Sequence, residues 1–147
     1  MIRLPFALSL LPGIAWACAG CGNSTLGPPR KETFPVVGKV VVDGQPAAFL
    51  AVNCARVSEI DKQNAAECQC LTEGDGTFKI ATYVSGDGVP EGDYVLTFQW
   101  GQVNGFTGSY DGDKLNGRYR DPDKSTVKFT VTKGKPTDLG EIKLTTQ

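Results

Sequence analysis

The sequence contains no histidine among its 147 residues. Histidine is the commonest general base near neutral pH and the commonest transition-metal ligand in proteins. Its absence excludes the Ser-His and Cys-His pairs in which an imidazole activates a hydroxyl or thiol nucleophile. We therefore predict no catalytic residues, no metal site and no cofactor, and we expect a protein that is not an enzyme.

An excess of positive charge is also missing. Fifteen Lys and Arg residues are balanced by sixteen Asp and Glu residues, and the basic residues form no stripe along the chain. Nucleic-acid-binding domains carry a basic face that neutralises phosphate groups. The charge balance therefore predicts no nucleic-acid partner.

The N-terminal segment is apolar but too short and too interrupted to cross a membrane as a helix. Arg3 supplies a positive charge, and residues 4–19 are apolar except where Pro5, Pro12 and Gly13 break the run. A transmembrane helix needs about 20 consecutive apolar residues. The arrangement is typical of a secretory signal peptide, so we expect an exported protein.

Residues 19–21, Ala-Gly-Cys, resemble a bacterial lipobox, the signal at which the cysteine is lipidated and becomes the mature N-terminus. The departure is Cys18, where lipoboxes carry Leu, Val or Ile. A lipidated Cys21 has at least two acyl chains, which is enough for stable anchoring. We predict a signal peptide over residues 1–21 and a membrane-anchored lipoprotein. Simple secretion after cleavage near Ala19 is the alternative.

Residues 22–35 show no hydrophobic periodicity and contain Pro28, Pro29 and Pro35. Prolines hold a chain partly extended. We predict a flexible tether over these residues and one globular domain over residues 36–147, which is a usual size for a single domain.

Short segments of alternating hydrophobicity make up the predicted domain. In Tyr94–Trp100, every second residue is large and apolar, which is the period of a half-buried strand. The other predicted strands are Val36–Val42, Ala47–Val57, Cys68–Leu71, a segment with Phe78, Ile80 and Val84 inward, one resuming at Ser125, and Leu139–Leu144. Seven strands without a helical period predict an all-β fold, a two-sheet Ig-like or prealbumin-like β-sandwich with Greek-key connections.

Three motifs follow one another in a familiar order. Residues 37–47 read Val-Gly-Lys-Val-Val-Val-Asp-Gly-Gln-Pro-Ala, residues 71–80 contain Thr-Glu-Gly-Asp-Gly-Thr-Phe, and residues 90–98 begin Pro-Glu-Gly-Asp-Tyr. This order resembles the carboxypeptidase regulatory-like domain, a transthyretin-like sandwich. The later residues, 113–125, are similar to the ending of short bacterial lipoproteins that carry one such domain. The resemblance implies an accessory role without catalysis.

Three cysteines lie inside the predicted domain. Cys68 and Cys70 are two residues apart on a predicted strand, so their side chains share one face. Cys54 lies on the preceding strand. In an oxidising compartment a disulfide from Cys54 to Cys68 or Cys70 is expected, closing a loop of about 15 residues. The alternative is three reduced cysteines that pack as small apolar residues.

Residues 101–123 are rich in glycine and polar residues and have no regular alternation. Long loops of this kind tend to be functional or mobile. Four aromatic residues surround the loop and could stack on a sugar or a peptide: Trp100, Phe106, Tyr110 and Tyr119. The alternative is that Trp100 and Tyr119 close the end of the core.

Asp111, Asp113 and Asn116 approach the spacing of a calcium-binding loop. The spacing is one residue too long, and Pro122 stands where the bidentate glutamate belongs. A solvated turn is therefore the preferred interpretation.

These features predict a non-enzymatic, lipid-anchored, exported protein that serves as a structural or interaction module of the cell envelope. Its expected partners are the membrane, through the lipid on Cys21, and an envelope protein or a glycan. The alternative function is a glycan- or peptide-binding module that uses the loop over residues 101–123.

Overall fold

The computed structural model describes residues 30–59 and 68–147, which fold into two β-sheets around one core. The strands are β1 (Val36–Val42), β2 (Gln45–Pro46), β3 (Ala51–Arg56), β4 (Cys68–Leu71), β5 (Thr77–Lys79), β6 (Gly92–Gln99), β7 (Gln102–Val103), β8 (Tyr110–Asp111), β9 (Lys128–Val131) and β10 (Thr137–Leu144). Seven of these strands have three or more residues. The predicted all-β sandwich is confirmed.

The first sheet is built around β1. Strand β10 pairs with β1 in parallel, while β2 and β5 pair with β1 in antiparallel orientation. The second sheet is antiparallel throughout, in the order β4-β3-β6-β9. Strands β7 and β8 form a separate two-stranded hairpin. The chain passes repeatedly from one sheet to the other, so residues far apart in sequence meet in the core.

The hydrophobic core fills the space between the sheets. Strand β6 contributes Tyr94, Leu96 and Phe98, which point inward as predicted and are at most 1% exposed. Phe78 and Ile80 meet them from the other side of the core, as predicted. Burial of each such side chain contributes about 1.5–3 kcal/mol to stability, so this layer dominates the energetics of the fold.

Strand β6 differs from the prediction on its other face. Val95 and Thr97 are also buried, at 1% and 7% exposure, so the strand is not half-buried. It lies between β3 and β9, and the short helical turns Val57–Glu59 and Pro122–Lys124 lie against it. A strand in the middle of a sheet is covered by neighbours that its own alternation cannot reveal.

The second strand begins four residues later than the predicted start at Ala47. Strand β3 starts at Ala51 because Phe49 adopts a φ of 56°, which is incompatible with extended backbone. The inward position predicted for Val84 is also wrong, because that side chain is 60% exposed. Strand β5 ends at Lys79, and the chain then turns around the carboxylate of Asp87.

The described chain packs against the sandwich before β1 begins. Phe34, which the prediction assigns to the tether, is 7% exposed and exchanges backbone hydrogen bonds of 2.9 and 3.1 Å with Val89. The predicted signal peptide and Cys21 lie outside the described residues. Within the described part of the chain, no helix has the length and apolar character needed to cross a membrane.

The strand directions define two ends of the sandwich. At the end that we call proximal, Phe34 pairs with Val89, and strands β1, β6 and β10 all begin there. At the distal end, β6 finishes beside Ala51 and leads into Trp100. Eight residues of β6 at about 3.3 Å per residue place the two ends roughly 23 Å apart.

Candidate functional site

A cleft of about 560 Å³ opens at the distal end. The residues that line it come from the chain before β3, from the end of β6 and from the region around β7: Ala48, Phe49, Trp100, Gly101, Gln102, Val103 and Lys114. Phe49 and Val103 are 62% and 58% exposed although both are apolar. We call this feature the distal cleft.

Trp100 forms one wall of the distal cleft and is fixed by three contacts. Its backbone N–H donates to the Asp113 carboxylate at 3.0 Å, and its indole Nε1–H donates to the carbonyl of Ala48 at 3.0 Å. The ammonium of Lys114 lies 4.6 Å from the centre of the indole ring. A cation at this distance from a tryptophan face is attracted to it by about 0.5–1 kcal/mol when exposed.

Asp113 organises the turn beside the distal cleft. Its carboxylate accepts hydrogen bonds from the backbone N–H groups of Trp100, Leu115 and Gly117, at 2.9–3.0 Å. Leu115 is completely buried in the core, so its side chain anchors the turn to the sandwich. Lys114 is therefore held between two fixed residues, and its ammonium group lies over the Trp100 ring in the lining of the cleft.

Tyr110 connects the two sides of the distal cleft. Its hydroxyl accepts a hydrogen bond from the backbone N–H of Gly101 at 2.8 Å and lies 2.8 Å from the carbonyl oxygen of Phe49. The hairpin of β7 and β8 carries Phe106 at its tip, where the ring is fully exposed. The predicted structureless loop thus contains a short hairpin that borders the cleft.

The structure divides the four predicted aromatic residues into two groups. Trp100 and Tyr110 adjoin the distal cleft, and Phe106 lies three residues beyond Val103 of its wall. Tyr119 lies elsewhere: its hydroxyl accepts from the N–H of Thr145 at 3.1 Å. Trp100 and Tyr119 both pack against the core. A ligand role for these residues stays a prediction.

The sequence singled out Trp100, and the candidate loop over residues 101–123 contains four more lining residues that were not named as contacts. Ala48 and Phe49 lie outside that loop and were missed. Phe49 appeared to belong to a strand, because a left-handed backbone conformation leaves no signature in a phenylalanine. Val103 and Lys114 share no regular spacing with Trp100 along the chain. The β7–β8 hairpin and the turn at Asp113 bring both side chains to the cleft. The clustering of aromatic residues was the one available signal.

The cysteines of the domain lie on strands β3 and β4. Cys54 is directly opposite Cys68, and the Cys68 thiol donates to the carbonyl of Cys54 at 3.7 Å. Cys70 is opposite Val52 and is half-buried. Burial, together with the neighbouring Cys68, raises the pKa of the Cys70 thiol to about 12, so this thiol is protonated and unreactive at neutral pH. The disulfide pairing stays a prediction.

No protein-family model matches this chain, and no curated protein matches it. Similar solved structures include 5-hydroxyisourate hydrolase of Klebsiella pneumoniae, with a TM-score of 0.42 and 14% identity over 78% of this chain and 91% of the hydrolase. The major pilin subunit of Bacillus cereus has a TM-score of 0.41 and 13% identity, over 77% of this chain and 29% of the pilin. A DUF3823 family protein of Parabacteroides merdae has a TM-score of 0.38 and 14% identity, over 79% of this chain and 46% of that protein.

These likenesses are too low to carry an argument. The β-sandwich is established by the strand pairing and the shared core of the described residues. The chain spans less than half the length of the pilin and of the DUF3823 family protein. Any function must be argued from the residues of this chain.

Proposed function

We propose that this protein is a non-enzymatic, exported module of the cell envelope, with a β-sandwich of the carboxypeptidase regulatory-like type. In this proposal a lipid on Cys21 holds the protein at a membrane, and the distal end of the sandwich faces away from that membrane. One observation carries the proposal: the described chain begins at the proximal end, whereas the distal cleft lies at the other end of β6.

The length of the predicted tether supports this arrangement. Eight residues, 22–29, separate Cys21 from Arg30, and a fully extended chain spans at most about 3.3–3.6 Å per residue. The proximal end then stays within roughly 30 Å of the lipid surface. In the proposed arrangement the sandwich adds roughly 23 Å along β6, which makes the distal cleft the outermost part of the protein.

Metabolic labelling with an alkyne analogue of palmitate tests the anchor. We expect the wild-type protein to incorporate the label and a Cys21→Ala variant to lose it, because residue 21 is the proposed lipidation site. Cys18→Ala is the matched control and should retain the label. A wild-type protein that stays unlabelled, or a Cys21→Ala variant labelled to the same extent, would contradict the anchor.

A second candidate function is ligand binding at the distal cleft. The observation that favours it is the exposure of Phe49 and Val103 around a half-buried indole, since exposed apolar patches of this kind mark interaction sites. Glycan and peptide arrays probed with the wild type and a Trp100→Ala variant test this function. Signals that depend on Trp100 support binding at the distal cleft. If no array signal depends on Trp100, the ligand-binding function is contradicted and only the structural role remains.

A further inference from the structure

Phe49 has a backbone conformation that its side chain does not favour. Its φ is 56°, and the other non-glycine residues with positive φ in the described chain are Asp43 and Asn116, two types that tolerate this region. A bulky residue there is strained. The ring is 62% exposed, so it recovers little of that cost through burial. The fold has no evident need for a phenyl ring at this position.

The strained conformation is held by hydrogen bonds on both sides. Thr72 is 2% exposed; its carbonyl accepts from the N–H of Phe49 at 3.1 Å, and its hydroxyl accepts from the N–H of Leu50 at 2.8 Å. The Tyr110 hydroxyl lies 2.8 Å from the carbonyl oxygen of Phe49. Strain of this kind persists only where the surroundings enforce it, and it concentrates at binding sites. Here the result is a fixed backbone that places the phenyl ring in the lining of the distal cleft.

The charge of the distal cleft is supplied by Lys114. Among the described lining residues it is the one ionised side chain. The carboxylates of Asp111 and Asp113 lie in the adjoining pocket and not in this lining. Asp113 accepts from three backbone N–H groups, and Asp111 accepts from the Ser109 hydroxyl at 2.6 Å. The cleft therefore presents two aromatic rings, a valine and an ammonium group, which together match an apolar group next to an anion.

We propose that the distal cleft binds a peptide segment in which a large apolar side chain stands beside a carboxylate. The apolar side chain would lie between Phe49 and Trp100, and the carboxylate would face Lys114. A sugar fits less well, because its hydroxyl groups need several hydrogen-bonding partners and Gln102 is the one neutral polar side chain of the lining. This inference deepens the second candidate function and is independent of the lipid anchor.

N-acetyl-phenylalanine, which carries a phenyl ring and a carboxylate, is the probe for this proposal. Its amide, which lacks the charge, is the matched control ligand. The exported protein is labelled with 5-fluorotryptophan in detergent micelles. Trp16 lies in the predicted signal peptide, so Trp100 should give the resonance that remains after processing, and a Trp100→Phe variant assigns it. We expect the acid to shift the Trp100 resonance with a Kd on the order of 1 mM, as suits a small ligand.

Lys114→Gln tests the carboxylate contact. We expect the acid to bind this variant about threefold more weakly than it binds the wild type, which is the usual size of an exposed ion pair. The amide should bind the wild type and Lys114→Gln with equal affinity, and Lys128→Gln, on the exposed face of β9, should change neither ligand. Equal losses for acid and amide in Lys114→Gln would overturn the assignment of the carboxylate to Lys114.

Phe49→Gly separates a binding role of the ring from a structural one. Glycine relieves the left-handed strain, and this relief exceeds the conformational entropy that glycine adds to the unfolded chain. We therefore expect the melting temperature to rise by roughly 2–4 °C while affinity for the acid falls at least about tenfold. A fall in melting temperature would show that the ring supports the fold and would overturn the proposal. So would the absence of any Trp100 shift with the acid at about 10 mM, or a Trp100 shift produced by N-acetylglucosamine and not by the acid.

Discussion

At the scale of single residues, aspartate carboxylates order the loops that connect the strands. Asp87 accepts hydrogen bonds from the backbone N–H groups of Thr82, Tyr83 and Val84, at 2.7, 3.0 and 3.2 Å. Partial desolvation raises the pKa of Asp87, but these hydrogen bonds together outweigh it, so the net pKa lies below its ordinary value. Asp87 thus orders the segment between β5 and β6.

This interaction predicts a pH dependence of stability. Because the pKa of Asp87 is lower in the folded state than in the unfolded chain, its contribution is present above the unfolded pKa of about 3.9 and is lost as pH falls through the folded pKa. We expect Asp87→Asn to be less stable than the wild type in urea at pH 7. At pH 2 the difference should nearly vanish, and a difference that stayed constant between the two pH values would contradict the assignment.

Residue-scale prediction from the sequence succeeded where a side chain's role follows from hydrophobic alternation alone. Tyr94, Leu96 and Phe98 were placed in the core correctly, because alternation along an inner strand is a local pattern. Leu115 was missed, although it is completely buried. It stands alone among polar neighbours, and only the turn held by Asp113 delivers it to the core.

At the scale of elements, the register of β3 against β4 decides which cysteines can join. Directly opposed residues in an antiparallel pair have Cα atoms about 4.5–5.5 Å apart, within the range that a disulfide spans, whereas diagonal neighbours are roughly 7–8 Å apart. Cys54 is opposite Cys68 and diagonal to Cys70. The register therefore favours the first of the two pairings that the sequence left open.

We expect the oxidised, exported protein to carry a Cys54–Cys68 disulfide and a Cys70 thiol. Peptide mapping by mass spectrometry without reduction would detect the linked peptides. In the chain-entropy model, closing a loop of about 15 residues contributes about 3 kcal/mol, so a Cys54→Ser, Cys68→Ser double variant should lose a comparable amount. A Cys54–Cys70 linkage would contradict the register argument, and three thiols in the exported protein would contradict the disulfide itself.

Element boundaries could be predicted wherever the strand pattern ends at a turn with a local signal. Strand β1 ends where predicted, at the turn Asp43-Gly44. Both ends of β4 were also predicted correctly. The start of β3 could not be found, because Phe49 is held in its conformation by Thr72 and Tyr110, which are distant in sequence. The hairpin of β7 and β8 was missed for a similar reason, since two-residue strands carry no periodicity.

At the scale of the whole molecule, the pairing of Phe34 with Val89 fixes the chain before β1 to the proximal end of the sandwich. Gly88 makes this possible: its φ is 82°, and a Cβ at this position would lie 1.7 Å from the carbonyl oxygen of Phe34. No side chain can be accommodated there without displacing the backbone of Phe34. The pairing of Phe34 with Val89 therefore requires glycine at residue 88.

We expect Gly88→Ala to cost about 3 kcal/mol or more, because left-handed strain is added to a backbone clash that breaks the contact of Phe34 with Val89. Gly86→Ala is the matched control: its φ is 75° and its nearest neighbours are 3.8 Å from the added carbon, so only the strain of about 1 kcal/mol should appear. Urea unfolding measures both. Equal losses in the two variants would show that the clash at Phe34 does not matter.

In the proposed arrangement, the lipid on Cys21 holds the proximal end near a membrane and leaves the distal end outermost. The direct measurement is energy transfer from a fluorescent amino acid to acceptor lipids, in vesicles that carry the acylated protein. The donor is placed in turn at two exposed positions, Val84 near the proximal end and Phe106 near the distal end.

We predict strong transfer from residue 84 and weak transfer from residue 106, because β6 separates the ends by roughly 23 Å. Equal transfer from both positions, stronger transfer from residue 106, or a wild-type protein that does not stay with the vesicles would contradict this arrangement.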